Sequence, residues 1–177
     1  MAMAMVSNKS REDKRKGAEI VYGPEPCFRQ STELLEELGF PKGILPLRDM
    51  EECGRVHETG FVWMRQKAPI EHFFEGINTQ VSYAKEVTAH LEKNRMKTIS
   101  GVKTKQLLVW VPVAEMICFD DPESRKIQFK TPMGIRKTFP VTAFMSDEEK
   151  HKHLEKLNRE SRMKEEGKKK DARRKKQ

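Results

Sequence analysis

The strongest constraint in the sequence is a two-residue alternation over residues 81–92. Val81, Tyr83, Val87, Ala89 and Leu91 share one parity; Ser82, Glu86, Thr88, His90 and Glu92 share the other. Successive side chains of a strand point to opposite faces, so the spacing predicts a long strand with one face in a core and one in water. Lys85 is the polar exception of inward parity, and its aliphatic stem can reach a rim.

Shorter stretches carry the same signature. A strand over 50–57 meets Glu58-Thr59-Gly60, a hairpin loop with Gly where φ is positive, and Phe61–Arg65 returns. A strand over 70–75 follows Pro69, and Met96–Ile99 returns after the polar turn Glu92–Arg95. Leu107–Phe119 reads as the longest strand, apolar on both faces and therefore covered on both. Pro112 cannot donate to a ladder and marks a bulge or an edge within it. Asp120-Asp121-Pro122-Glu123 is a turn, and Lys126–Lys130 with Ile135–Phe139 forms a last hairpin. About seven short strands without interleaved helices predict a mainly β fold, a small antiparallel barrel or sandwich.

Helices flank it. Residues 24–38 predict one, with Pro24 at the first helical position and Phe28, Leu34, Leu35 and Leu38 on one face. Gly39 then takes a left-handed conformation and Phe40 folds back on the last turn. Ser146-Asp147-Glu148-Glu149 is a capping box. Behind it, Glu148/Lys152, Glu155/Arg159 and Glu160/Lys164 are spaced for i,i+4 pairing. With only Leu154, Leu157 and Met163 as apolar content, this is a solvated single helix, expected to fray after Gly167. The chain divides into a polar segment 1–23, a frayed helix or disordered through residue 22, a domain 24–145 and a charged tail 146–177.

Charge follows the same division. The net charge is +8, of which residues 1–29 carry +2, residues 30–145 carry +1 and residues 146–177 carry +5. A basic chain points to an anionic partner, but here the basic character belongs to the tail. Residues 162–177 hold 9 basic and 3 acidic side chains. Lys168, Lys169, Lys170, Arg173, Arg174, Lys175 and Lys176 are its anion-contacting candidates, for a phosphate, a protein partner or nuclear import. No stretch approaches the roughly 20 apolar residues of a transmembrane helix. The apolar run Met1–Val6 is shorter than a signal-peptide core, which points to the cytoplasm or nucleus. Cys27, Cys53 and Cys118 are odd in number and widely spaced, as buried free thiols are and zinc ligands are not.

Five blocks resemble one plant family: Glu37–Leu47, Glu58–Trp63, Val81–Val87, Ile99–Lys105, and Lys130–Gly134 with Thr138–Pro140. Their order and spacing are similar to the "domain of unknown function 538" family, which includes the smaller-with-variable-branches trichome proteins. The resemblance covers residues 25–145. It implies a small all-β barrel with an N-terminal helical element, a fold likened to the bactericidal permeability-increasing lipid-binding proteins. Hydrolase-like, chlorophyll-related and pectin-binding roles are proposed within the family. No agreed catalytic residues come with it, and the basic tail departs from its pattern.

The chemistry-bearing residues are few. An esterase needs an activated Ser with a His base. The elbow Gly-x-Ser-x-Gly is absent, and Ser100 with His57, His72 and His90 is the nearest approach, from different strands. His151 and His153 lie on a polar helix without a third ligand, so no metal and no cofactor is expected. Trp63, Phe74, Tyr83, Trp110 and Phe129 come from different strands and are the candidates to line a barrel mouth. The sequence therefore points to a binder of a hydrophobic or lipid-like small molecule with a regulatory role in development or stress. An ester hydrolase is the runner-up, and an adaptor using its basic tail the third reading.

Overall fold

The structure, a computed structural model, describes residues 2–119 and 125–175. The alternating stretch is β5 (Thr79–Glu92), which turns into β6 (Arg95–Gln106). β6 is longer than Met96–Ile99, because the alternation continues past Gly101. Val102 and Thr104 are buried while Lys103 and Lys105 are exposed.

This hairpin is the spine of one antiparallel sheet. β3 (Phe61–Gln66) pairs with the Glu86–His90 half of β5, and β4 (Ile70–Phe74) with the Thr79–Tyr83 half. Across the spine, β8 (Glu115–Phe119) pairs with the start of β6 and β7 (Val109–Pro112) with its end. The register between β5 and β6 shifts between Tyr83 and Thr88, and a bulge of this kind bends a strand. Gly101 lies at the shift with φ +87°, where a Cβ would stand 2.4 Å from the Glu86 carbonyl oxygen. The bend lets two halves of one sheet face a shared interior.

The path runs β1 (Glu19–Tyr22), β2 (Met50–Val56), β3, β5, β6, β8, β9 (Lys126–Lys130), β10 (Arg136–Pro140), with β4 and β7 off it. The fold is thus mainly β, with ten strands among the described residues rather than about seven, in a sheet that does not close.

α2 (Pro24–Glu37) crosses the face of the sheet. Its Leu34 and Leu35, with Leu38 just beyond, join Met64, Val87 and Met116 in the main core. Each such leucine contributes roughly 1.5–3 kcal/mol by leaving water. Gly39 adopts φ +81°, and the Phe40 amide donates to the Leu35 carbonyl at 2.9 Å, as the helix-stop sequence predicts. All three cysteines are buried, and the Cys27 and Cys118 thiols donate to the carbonyls of Val21 and Gly39 at 3.5 and 3.3 Å.

Four expectations need correction. Before Gly23, α1 (Ala2–Arg15) agrees with the helix alternative, but β1 is unexpected; it is an edge strand of only four residues, too short to show in periodicity. Leu107–Phe119 is not one covered strand. It breaks at Val113-Ala114 into β7 and β8, and Leu107 and Leu108 stand in solvent at a hairpin turn. Pro112 ends β7, which pairs with β6 alone, in line with the edge position read from it. α3 (Asp147–Arg174) runs unbroken through Gly167. Of its expected pairs Glu148–Lys152 closes at 2.6 Å, whereas Glu155 and Glu160 pair backwards with His151 and Lys156 at 3.3 and 4.0 Å. The turn expected at 120–123 lies outside the described residues, as does Lys176.

Candidate functional site

The side chains considered for catalysis take separate places. His57 meets Glu19 at 3.1 Å, and His90 Nδ1 shares a 2.6 Å hydrogen bond with Thr98 Oγ1. His72 packs edge-on against Phe74, ring centroids 4.5 Å apart. Burial, with Arg48 adding to it, holds the His72 imidazole below its ordinary pKa. Ser100 is exposed on β6 opposite Thr88, with no hydrogen bond to any of the three histidines among the described residues. Among those residues, no three His, Cys, Asp or Glu side chains converge as a metal site would require.

The five aromatic candidates also divide. Phe74 and Phe129 pack on Phe144, at 5.0 and 5.4 Å between ring centroids, inside the main core. Tyr83 is fully buried and donates its hydroxyl to the Ile44 carbonyl at 2.7 Å. Burial pushes its phenol well above the ordinary range. Trp63 points to the opposite face of the sheet, into a small cluster with Val56 and Phe61. There the Arg15 guanidinium lies 4.4 Å over the ring, and the indole N–H donates to Glu52 at 2.7 Å. Trp110 is half-buried on β7, with the Lys105 ammonium 5.7 Å from its ring.

Three concavities bear on ligand binding. Between α2 and the sheet, the interior leaves only about 20 Å³ among Leu34, Leu38, Val87 and Met116, little more than one water. A broad groove of about 560 Å³ runs between His72–Gly76 and Pro140–Lys150. Its lining mixes polar and apolar groups, and its one serine, Ser146, is spent accepting from the Glu149 amide as the cap of α3. The third is a cleft of about 190 Å³ between the β6–β7 and β9–β10 hairpins. Val111, Val113, Phe129, Ile135 and Phe139 give it an apolar wall, and Thr104, Gln106, Lys130, Thr131 and Lys137 are its polar lining residues. Lys137 Nζ donates to Gln106 Oε1, tying the two hairpins together.

The cleft was hidden in the sequence because Leu107–Phe119 reads as continuous core. The signal that exposes it is the continuation of the period-two pattern from Arg95 through Gln106, which forces a turn at Leu107-Leu108 and sends Val111 and Val113 back along β6. Of the aromatic candidates, Phe129 alone lines the cleft. On α3, the basic candidates from Lys168 to Lys175 are all exposed. No helix among the described residues is long and apolar enough to cross a membrane.

What the fold and cleft define is an all-antiparallel β domain with a helix across one face and an apolar opening between two hairpins. Residues 31–145 match the family described as "Protein of unknown function, DUF538", and the chain belongs to that family. No curated protein and no solved structure matches the chain.

Proposed function

We propose that this protein is a non-enzymatic binder of a hydrophobic or lipid-like small molecule, acting as a regulator in the cytoplasm or nucleus. The observation that carries the reading is the 190 Å³ cleft, because the surface it presents is almost wholly apolar, with a small polar share. That is the composition of small-molecule sites generally, although such sites for drug-sized ligands run to about 300–1,000 Å³. This cleft suits a single ring or a stretch of acyl chain. The ligand's apolar part packs on Phe139 and Val111, and a polar head reaches Lys137 and Gln106.

Titration with anilinonaphthalene sulfonate tests it. The wild-type chain binds one equivalent. Ile135→Glu, at a lip position 59% exposed and so tolerant of charge, weakens binding about tenfold by putting a carboxylate beside the apolar wall. Absence of stoichiometric binding, or full affinity in the variant, overturns the reading.

A second reading is favoured by α3, which buries no residue over its 28 positions and keeps its basic end in solvent. In it, that end contacts a phosphate-bearing or protein partner. Lys168→Gln/Lys169→Gln/Lys170→Gln in the full chain then abolishes salt-sensitive capture of the partner.

A further inference from the structure

The turn joining β6 to β7 is built against ordinary turn chemistry. A two-residue hairpin loop favours Asn-Gly or a glycine, because a positive φ is needed there. Here the two residues are Leu107 and Leu108, and Leu107 holds φ +56°. A bulky apolar side chain in that region is strained, and strain of this kind persists where something other than folding requires the residue. Neither leucine repays it by packing, for they are 96% and 91% exposed.

The neighbouring β9–β10 hairpin presents the same chemistry. Met133 at its tip is 89% exposed and Ile135 59%. The Lys137–Gln106 hydrogen bond and the shared cleft hold the two tips side by side. Residues 101–113 and 126–140 together carry six basic side chains and no acidic one. At the root, Glu115 is buried and paired with Arg95 and Lys130. Trp110, half-buried, faces Lys105 one pair back from the Gln106–Val109 pair that closes the turn, and Lys103 follows further along β6. An apolar tip with Trp and basic side chains behind it matches the layers of a membrane interface, in which aromatic rings sit at headgroup level and basic groups meet anionic lipid.

We propose that the paired tips dock this protein on an anionic lipid surface. Leu107, Leu108 and Met133 enter the acyl boundary, and Lys103, Lys105 and Arg136 contact phosphate and carboxylate headgroups. Docking requires no occupant in the cleft, so it stands apart from the small-molecule reading; it does place the cleft mouth close to the bilayer.

The test uses the full chain with vesicles of phosphatidylcholine alone or of phosphatidylcholine and phosphatidylserine in equal parts. Trp63 is 1% exposed, so a change in tryptophan emission reports Trp110. Expected are co-sedimentation with the phosphatidylserine vesicles, weak association with phosphatidylcholine, and a blue shift on binding. Leu107→Gly/Leu108→Asn puts the glycine where φ is positive, so folding is preserved while vesicle affinity falls at least about tenfold. Lys168→Gln/Lys169→Gln/Lys170→Gln leaves affinity unchanged. The proposal is overturned by any of three results: no vesicle association, equal binding to both vesicle types, or a turn variant that binds like wild type. Loss of binding in the tail variant overturns it too, by moving the contact to α3. Fluorophore titration without vesicles reads the cleft separately, so the two proposals fail independently.

Discussion

Gln66 Nε2 donates to the main-chain carbonyl of Tyr83 at 3.2 Å, and to that of Ala84 at 3.0 Å, from a position with no solvent exposure. Its Oε1 accepts from the Arg48 amide at 3.2 Å. The shift in β5–β6 register begins at Tyr83, so the two carbonyls lie where the ladder is interrupted. One amide side chain therefore satisfies the backbone groups that the bend leaves over, and the bend is what lets the sheet wrap its core.

Gln66→Met keeps length and removes donor and acceptor together. Buried backbone groups then lack partners, each costing about 1–3 kcal/mol. A loss of about 2–3 kcal/mol in urea unfolding is expected, and a loss below about 0.5 kcal/mol would show that the bend does not depend on this residue.

Tyr83 makes stability depend on alkaline pH. Its phenol is raised in the folded chain by burial, against about 10 when unfolded. The neutral phenol's contribution is fully present below about pH 10. It falls above that value as the unfolded chain releases its proton first, at up to about 1.4 kcal/mol per pH unit, until the folded group titrates. Tyr83→Phe removes this slope at a cost of about 1 kcal/mol for the hydrogen bond to Ile44. Thermal unfolding between pH 9 and 11 checks it: wild type should lose more Tm over that interval than the variant does.

The elements legible in the sequence are those in which local chemistry and tertiary placement agree. β5 alternates because one face is core; Gly60 marks its turn with φ +75°, and Ser146 and Glu149 cap α3 as their spacing says. Leu107-Leu108 was not legible as a turn, since its residue types contradict its conformation. Trp63 misled for a different reason. β3 is buried on both faces, so parity cannot tell which side faces the main core; the second face is covered by Arg15 and Ala18, far off in sequence. The cleft is likewise a product of pairing, made when β7 folds back on β6 beside β10.

Gly54 and Trp63 are opposite one another on β2 and β3, and the indole ring lies over the glycine. A Cβ at Gly54 would stand 2.2 Å from the ring. Gly54→Ala therefore pushes Trp63 off the sheet, away from Glu52 and from under Arg15, with an expected cost of about 1–3 kcal/mol. In a Trp110→Phe background the emission of Trp63 should shift to the red. An unshifted spectrum with unchanged stability would show that the ring has room this geometry denies it.

The root of α3 is fastened to the domain by one carboxylate. Glu149 accepts from its own cap, the Ser146 amide, at 2.8 Å, and from the Lys42 amide at 3.0 and 3.1 Å. Beside it Gly43 lies so close to the strand of chain before α3 that a Cβ would stand 2.3 Å from the Phe144 carbonyl oxygen. The two variants of this corner should therefore separate. Ser146→Ala loses one cap acceptor, about 1 kcal/mol of helix stability, but leaves Glu149 on Lys42. Glu149→Ala loses both the box and the tether, about 1–2 kcal/mol. Amide hydrogen exchange at Lys42 is the discriminating measurement: faster in Glu149→Ala and near wild type in Ser146→Ala. Equal exchange in the two would mean that the loop is held by the packing of Gly43 against Phe144, and that α3 is joined to the domain through its backbone alone.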